Sequence, residues 1–307
     1  MQFIDFRDYT YVMKKVLVLG SSGMLGSTVV KVFTKMNFIV TESNRDGIPI
    51  VAGNNCRRLD VNNQEIEAFF QEHSDYDFVV NCVGLIKQKI VEGSPDDVFD
   101  SIKINAILPL RLDDASSRFK FRLIQIGTDC VFSGRKGFYT EDDEKDPIDV
   151  YGYSKALGEC GLKNTMILRC SIIGRELRSK FSLLEWVLGL PTNARVNGFS
   201  NHLWNGITTL QFAKICAGVI QKEIFESGIF HVVPEAYVSK LDLIRLIAKY
   251  FHRTDLNIES YLDEDGINRT LRTLSGSKLE VLWKSAGYSE IPSVEGMIKE
   301  YSQWLNA

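Results

Sequence analysis

The chain has 307 residues, a formal net charge of −3 and an ordinary globular composition, with 45% hydrophobic and 24% charged residues. That length suits one large α/β domain, or a domain with a smaller lobe. The balanced charge gives no reason to expect nucleic acid or an anionic membrane as a partner, and no apolar run reaches the roughly 18 residues of a membrane span. The first thirteen residues, MQFIDFRDYTYVM, lack the basic start and apolar core of a signal peptide and carry acids. A peripheral or poorly ordered placement is expected for them. Six cysteines are scattered without a Cys-x-x-Cys pair, and the four histidines show no metal-ligand spacing. These features point to buried free thiols in a cytoplasmic protein, with no metal site and no disulfide framework.

The first apolar run, KKVLVLG (14–20), ends in glycine and reads as a buried parallel strand. A helix comes next at 24–36, then a strand at 38–43, a helix at 63–73 and a strand at 76–84. Residues 95–117 read as one long helix that Pro109 bends. A strand at 121–128, a helix at 151–163 and a strand at 165–171 complete the first half. This alternation predicts an α/β fold with a Rossmann-type doubly wound parallel sheet over residues 14–175. Beyond it, helices are expected at 180–190, 208–225, 239–251 and 294–305, with a strand at 228–234. Residues 176–307 therefore read mainly as a smaller C-terminal α/β lobe, with segments that return to the first domain. A lobe over the carboxyl ends of the strands would make a cleft.

The chemistry-bearing stretches fall along that edge. GSSGMLG places Gly20, Gly23 and Gly26 three apart between strand and helix, a context that lets backbone N–H groups approach a pyrophosphate. Ser22, Met24 and Leu25 belong to the same turn. After the second strand Glu42 is followed by Asn44 and Arg45, and the arginine favours NADPH over NADH, which stays open. Asp60 and Val61 come after the third strand, where an acid can meet an adenine amino group. Cys82, Val83 and Gly84 end the fourth strand, and Thr128 ends the fifth. In YGYSK, Tyr151 and Lys155 share a helix face while Tyr153 points elsewhere. Taken alone, Tyr-x-x-x-Lys is common on solvated helix faces; its place in this order is what makes it informative.

That order resembles the short-chain dehydrogenase/reductases, in the extended subclass with a C-terminal substrate lobe. More narrowly, GTDCVFSG (127–134) followed by YGYSKALGE (151–159) resembles the dTDP-4-dehydrorhamnose reductase family. The resemblance implies that Tyr151 gives a proton to a reduced carbonyl, that Lys155 lowers its pKa and holds the nicotinamide ribose, and that Thr128 hydrogen-bonds the carbonyl oxygen. It implies a nucleotide-linked 4-keto-6-deoxy sugar as substrate, dTDP- or UDP-linked, with Lys87, Asp129, Cys130, Val131 and Trp204 facing it. NCVGLIKQ departs from the family's usual Asn-Ala-Ala run, and Gly206 stands where a proline is common. Two alternatives remain open. Epimerase-reductases resembling GDP-fucose synthase carry a cysteine at the position of Cys130, with His202 as the candidate partner acid. A non-catalytic regulatory subunit, like that of methionine adenosyltransferase, shares the fold. Oligomeric state, a homodimer included, is not readable.

Overall fold

A computed structural model describes residues 13–62 and 65–307. Residues 1–12 of the leader lie outside the described residues, as do Asn63 and Gln64 at the start of the expected helix 63–73.

The strands β1 (Lys15–Leu19), β2 (Ile39–Asn44), β3 (Asn55–Arg58), β4 (Phe78–Asn81), β5 (Arg122–Gly127) and β6 (Thr165–Arg169) lie in one parallel sheet in the order β3-β2-β1-β4-β5-β6. Chain order reverses between β1 and β4, and ligands of open α/β sheets bind at such a switch point. Both faces are covered. Val16 and Val18 pack beneath α1 (Met24–Lys35), whereas Leu17 and Leu19 pack with Phe69 and Phe70 of α2 (Ile66–Glu72). That is the period-2 alternation of a strand buried on both sides.

The long helix expected at 95–117 is broken instead. α3 (Pro95–Ile102) passes into a π-helical turn at Lys103–Ile107 before α4 (Leu108–Phe119). Pro109 has no N–H to donate, and its ring crowds the carbonyl four residues back, that of Asn105. The ladder opens into a wider turn there. Asn105 is thereby turned inward: its Oδ1 accepts from Leu85 N at 2.9 Å and its Nδ2 donates to Ser154 Oγ at 3.1 Å. Ser154 lies on α5 (Val150–Leu157), so the turn joins the loop after β4 to the helix that carries Tyr151 and Lys155.

Past β6 the elements shorten to β7 (Ile172–Ile173), α6 (Leu183–Gly189), β8 (Arg195–Phe199), β9 (Leu203–Trp204) and β10 (Ile207–Thr208). The chain then returns to the sheet. α7 (Thr209–Gln221) packs on α1, where Thr28 Oγ1 donates to Thr209 Oγ1 at 3.0 Å, and β11 (Gly228–His231) pairs parallel with β6 as the seventh strand. After it come β12 (Val238–Ser239), α8 (Lys240–Tyr250), β13 (Asn257–Tyr261), α9 (Gly276–Ser285) and α10 (Val294–Leu305). Three two-stranded ladders, β7–β10, β9–β12 and β8–β13, hold this part together. No helix among the described residues is long and apolar enough to cross a membrane.

Candidate active site

A cleft of about 430 Å³ opens at the carboxyl ends of β1, β4, β5 and β6. Its first wall is the glycine turn. Gly20 has φ +76°, a left-handed conformation that glycine adopts without strain. A side chain on Gly26 would run into the Gly20 carbonyl, so α1 can start this close to β1 only with glycine there. Gly23 is the N-cap residue of α1 and makes no side-chain cap. The helix therefore presents free N–H groups and the positive end of its dipole, a setting for phosphate. Gly23, Met24 and Leu25 line the cleft, and Ser22 sits half-buried in the turn.

The end of β2 is braced from within. Asn44 Nδ2 donates to Ser21 Oγ at 2.9 Å and to Ile48 O at 2.8 Å, and Asn44 Oδ1 accepts from Gly47 N at 2.8 Å. Glu42 is fully buried and accepts from Ile50 N at 2.7 Å and Val51 N at 3.0 Å, which spends its carboxylate on the following loop. The Arg45 side chain is exposed beside this turn, while Asp46 forms an ion pair with Arg178 from the other side of the cleft. Asp60 lies just past β3 and accepts from Asn62 N at 3.2 Å; Val61 packs against the apolar core. Gly20, Ser22, Asn44, Arg45, Asp60 and Val61 stand at the ends of the first three strands, outside the lining of the cavity.

At the end of β4, buried Asn81 donates through Nδ2 to Gln125 Oε1 at 2.7 Å and accepts at Oδ1 from Val83 N at 3.0 Å. This bends the chain so that Cys82, Val83 and Gly84 line the cleft. Lys87, further along the same loop, also lines it and reaches Asp149 Oδ2 at 2.8 Å. Asp149 caps α5, its Oδ1 accepting from Gly152 N at 2.8 Å. Burial opposes its charge, but Lys87 and the Gly152 N–H outweigh that and hold the carboxyl below its usual range.

Thr128 ends β5 and donates from Oγ1 to Asp129 Oδ1 at 3.3 Å. Thr128, Asp129, Cys130, Tyr151 and Lys155 line one stretch of the cleft, whereas Tyr153 is 62% exposed on the outer face of α5. Burial pushes the Tyr151 phenol up, with Cys130 adding to the shift and a hydrogen bond to Thr128 opposing it. Lys155 lines the same cleft. Its Nζ donates to Ile126 O at 3.2 Å, and burial pulls its pKa down against the pull of Glu159. The two residues therefore share a face and a cleft, and the β5 carbonyl takes one of the three ammonium N–H donors. Burial, then the neighbouring Asp129, pushes the Cys130 thiol up to about 12.

Two expected positions differ. Val131 is fully buried in the core beneath the site, because the short 3-10 turn Asp129–Val131 rotates its side chain inward. His202 stacks on Phe199 with ring centroids 4.3 Å apart and meets Asp263 Oδ2 at 2.7 Å, outside the cleft. Its loop pairs with the segment after β13, which turns the imidazole away. Trp204 lines the cleft, but its Nε1 donates to Ser171 Oγ at 2.9 Å and its ring lies beneath Lys240. Lys240 also lines the cleft, and Arg269 reaches Cys130 Sγ at 4.0 Å; sequence reading missed both. The one available signal was Ser239, read as the N-cap of the helix that Lys240 begins. Among the described residues no group of His, Cys, Asp and Glu side chains could hold a metal ion.

The family described as RmlD substrate binding domain matches residues 13–280. A probable low-salt glycan biosynthesis reductase of Haloferax volcanii is 26% identical over 264 residues, covering 81% of this chain and 84% of that protein. Methionine adenosyltransferase 2 subunit beta of Rattus norvegicus is 24% identical over 289 residues, covering 88% of this chain and 82% of that protein. The dTDP-4-dehydrorhamnose reductase of Bacillus anthracis, solved in complex with NADP, superposes with a TM-score of 0.74 at 17% identity, covering 96% of this chain and all of that one (100%). This last likeness is one of fold.

Proposed function

The chain belongs to the RmlD substrate binding domain family, and from that premise we propose that it is an NADPH-dependent reductase of the 4-keto group of a nucleotide-linked 4-keto-6-deoxy sugar, dTDP- or UDP-linked, working in the supply of a surface glycan. The reading is supported above all by Thr128, Tyr151 and Lys155 lining one cleft with the glycine turn of α1. The chain parts at about residue 175 in this reading, with the cofactor held before it and the sugar held mainly by the lobe beyond it.

The residues present fit a dinucleotide. Gly23 makes no side-chain cap on the N-terminal end of α1, and a side chain added there would crowd the Gly20 carbonyl at 3.3 Å. Gly20, Ser22, Gly23, Met24 and Leu25 would hold the pyrophosphate, Asn44 and Arg45 the adenosine ribose and its phosphate, and Asp60 and Val61 the adenine. Cys82, Val83 and Gly84 would run alongside, with Tyr151 and Lys155 on the second ribose. When bound, a reduced nicotinamide supplies hydride to the carbonyl carbon. Tyr151, kept protonated by burial, gives its phenolic proton to the carbonyl oxygen, and the Thr128 hydroxyl donates a hydrogen bond to the same atom as charge develops. The Lys155 ammonium then favours the phenolate left behind.

Reduction without epimerisation is the simpler reading. A Cys130 thiol pushed up to about 12 is a poor base at neutral pH, and His202 lies outside the cleft. The coverage of methionine adenosyltransferase 2 subunit beta favours one other reading, a dinucleotide-binding subunit without turnover. Steady-state oxidation of NADPH with a panel of dTDP- and UDP-linked 4-keto sugars separates the two.

A further inference from the structure

Asp129 and Lys240 both line the cleft and do not pair with each other. Asp129 Oδ1 takes hydrogen bonds from Thr128 Oγ1 at 3.3 Å and Cys130 Sγ at 3.8 Å. Its Oδ2 takes none from any other described residue. Nor is that oxygen sealed in, since Asn62 Oδ1 is the one sealed and unpartnered side-chain oxygen or nitrogen among the described residues. Lys240, the first residue of α8, rests its Nζ 5.6 Å from the centre of the Trp204 ring and forms no ion pair among the described residues. Trp204 is itself fixed by Ser171 and is 3% exposed, so the ammonium rests on a rigid platform in the wall of the cavity. Burial raises Asp129 and lowers Lys240, each partly offset by the other's charge, and Arg269 acts on both.

An acid and a cation held apart in a partly dry cleft leave hydrogen-bonding capacity unused, which is costly unless a ligand completes it. A hydroxyl placed between them donates to the carboxylate and accepts from the ammonium at once. Asp129 is the neighbour of Thr128, the residue assigned to the carbonyl oxygen, so the hydroxyl it can reach is on the adjoining ring carbon. We propose that Asp129 and Lys240 together grip the sugar hydroxyl next to the keto carbon, and so restrict the substrate to sugars unmodified at that position. This rests on the ketoreductase reading above.

The test is calorimetric binding, in the presence of NADP⁺, of dTDP-glucose and UDP-glucose, their 3-deoxy analogues, and free dTDP and UDP. Wild-type protein is expected to prefer the hydroxylated sugar over its 3-deoxy analogue by about tenfold, because the analogue leaves both groups unpaired. Lys240→Met should bring the two ligands to within about twofold of each other, the free nucleotide binding as in wild type. Asp129→Asn should cut the preference too, and carries the test if Lys240→Met does not fold. A tenfold preference that survives in Lys240→Met overturns the proposal. So does an equal loss of affinity for free dTDP or UDP, which would put the ammonium on the diphosphate. Wild-type protein that binds NADP⁺ but none of the nucleotides or nucleotide sugars would instead contradict the ketoreductase reading, and this inference with it.

Discussion

Arg169 Nη1 lies 2.7 Å from His231 Nε2 at the buried junction of β6 and β11, and the same guanidinium donates to Glu159 Oε2 at 2.6 Å. His231 Nδ1 lies 2.9 Å from Arg272 O, a carbonyl that can only accept, so Nδ1 carries the proton and Nε2 takes the guanidinium N–H. This buried group ties the end of the Tyr151 helix to the returning strand.

The arrangement makes stability between about pH 6.5 and 4 depend on the His231 imidazole. Burial, then the charge on Arg169, lowers His231 from 6.5 to about 4. The folded state therefore excludes a proton that the unfolded chain binds. Its contribution is fully present above about pH 6.5 and is lost as pH falls towards 4, on the order of 3 kcal/mol over that window. Glu159, held low by Arg169 against its burial, adds its own loss only at lower pH. Urea denaturation across pH 4–7 should show a steep fall for wild type and a flatter one for His231→Gln, whose starting stability is lower. Equal slopes would assign the acid sensitivity elsewhere.

Tyr151 and Tyr153 separate cleanly in a kinetic test. Tyr151→Phe should reduce turnover by about 10²–10⁴-fold, the range of general acid catalysis, and leave NADPH affinity within a few-fold. Tyr153→Phe, on the exposed face, should behave as wild type. Reversed effects would move the proton donor to Tyr153.

Arg45 is exposed beside the turn that Asn44 braces, and Asp46 next to it is held by Arg178. If Arg45 meets a 2′-phosphate, Arg45→Ala should raise the KM for NADPH about tenfold or more and leave that for NADH nearly unchanged. An equal change for both cofactors would remove Arg45 from the site.

Cys130 is expected to fill space beside the sugar. Product formed in D₂O should carry no solvent deuterium at C3 or C5, and Cys130→Ser should retain most of the reductase rate. Deuterium at either carbon that disappears in Cys130→Ser would restore the epimerase-reductase reading.

Local spacing carried much of this structure. The strands β1, β4, β5 and β6 are buried apolar runs, the glycine turn lies between a strand and a helix, and i, i+4 geometry put Tyr151 and Lys155 on one face of α5. What stayed hidden depends on distant contacts or weak patterns. Arg269 meets Cys130 across 139 positions, and Lys240 enters the cleft through a ring that long-range folding puts beneath it. The β8–β13 ladder went unread because most residues of β13 are exposed and give no apolar alternation. α9 follows Ser275, a residue type that favours helix starts but makes no side-chain cap here, and the helix went unread. The break at Lys103–Ile107 was half legible: Pro109 signalled a bend, but not that the turn would widen and direct Asn105 inward.

The most direct test is transfer of label from NADPH deuterated at nicotinamide C4 to a panel of dTDP- and UDP-linked 4-keto-6-deoxy sugars, read by mass spectrometry and NMR. The expected result is one deuterium at sugar C4 with wild-type protein, for at least one member of the panel, and transfer slowed about 10²-fold or more with Tyr151→Phe. Protein that binds NADPH yet transfers deuterium to no member of the panel, or transfers it equally well in Tyr151→Phe, would contradict the account.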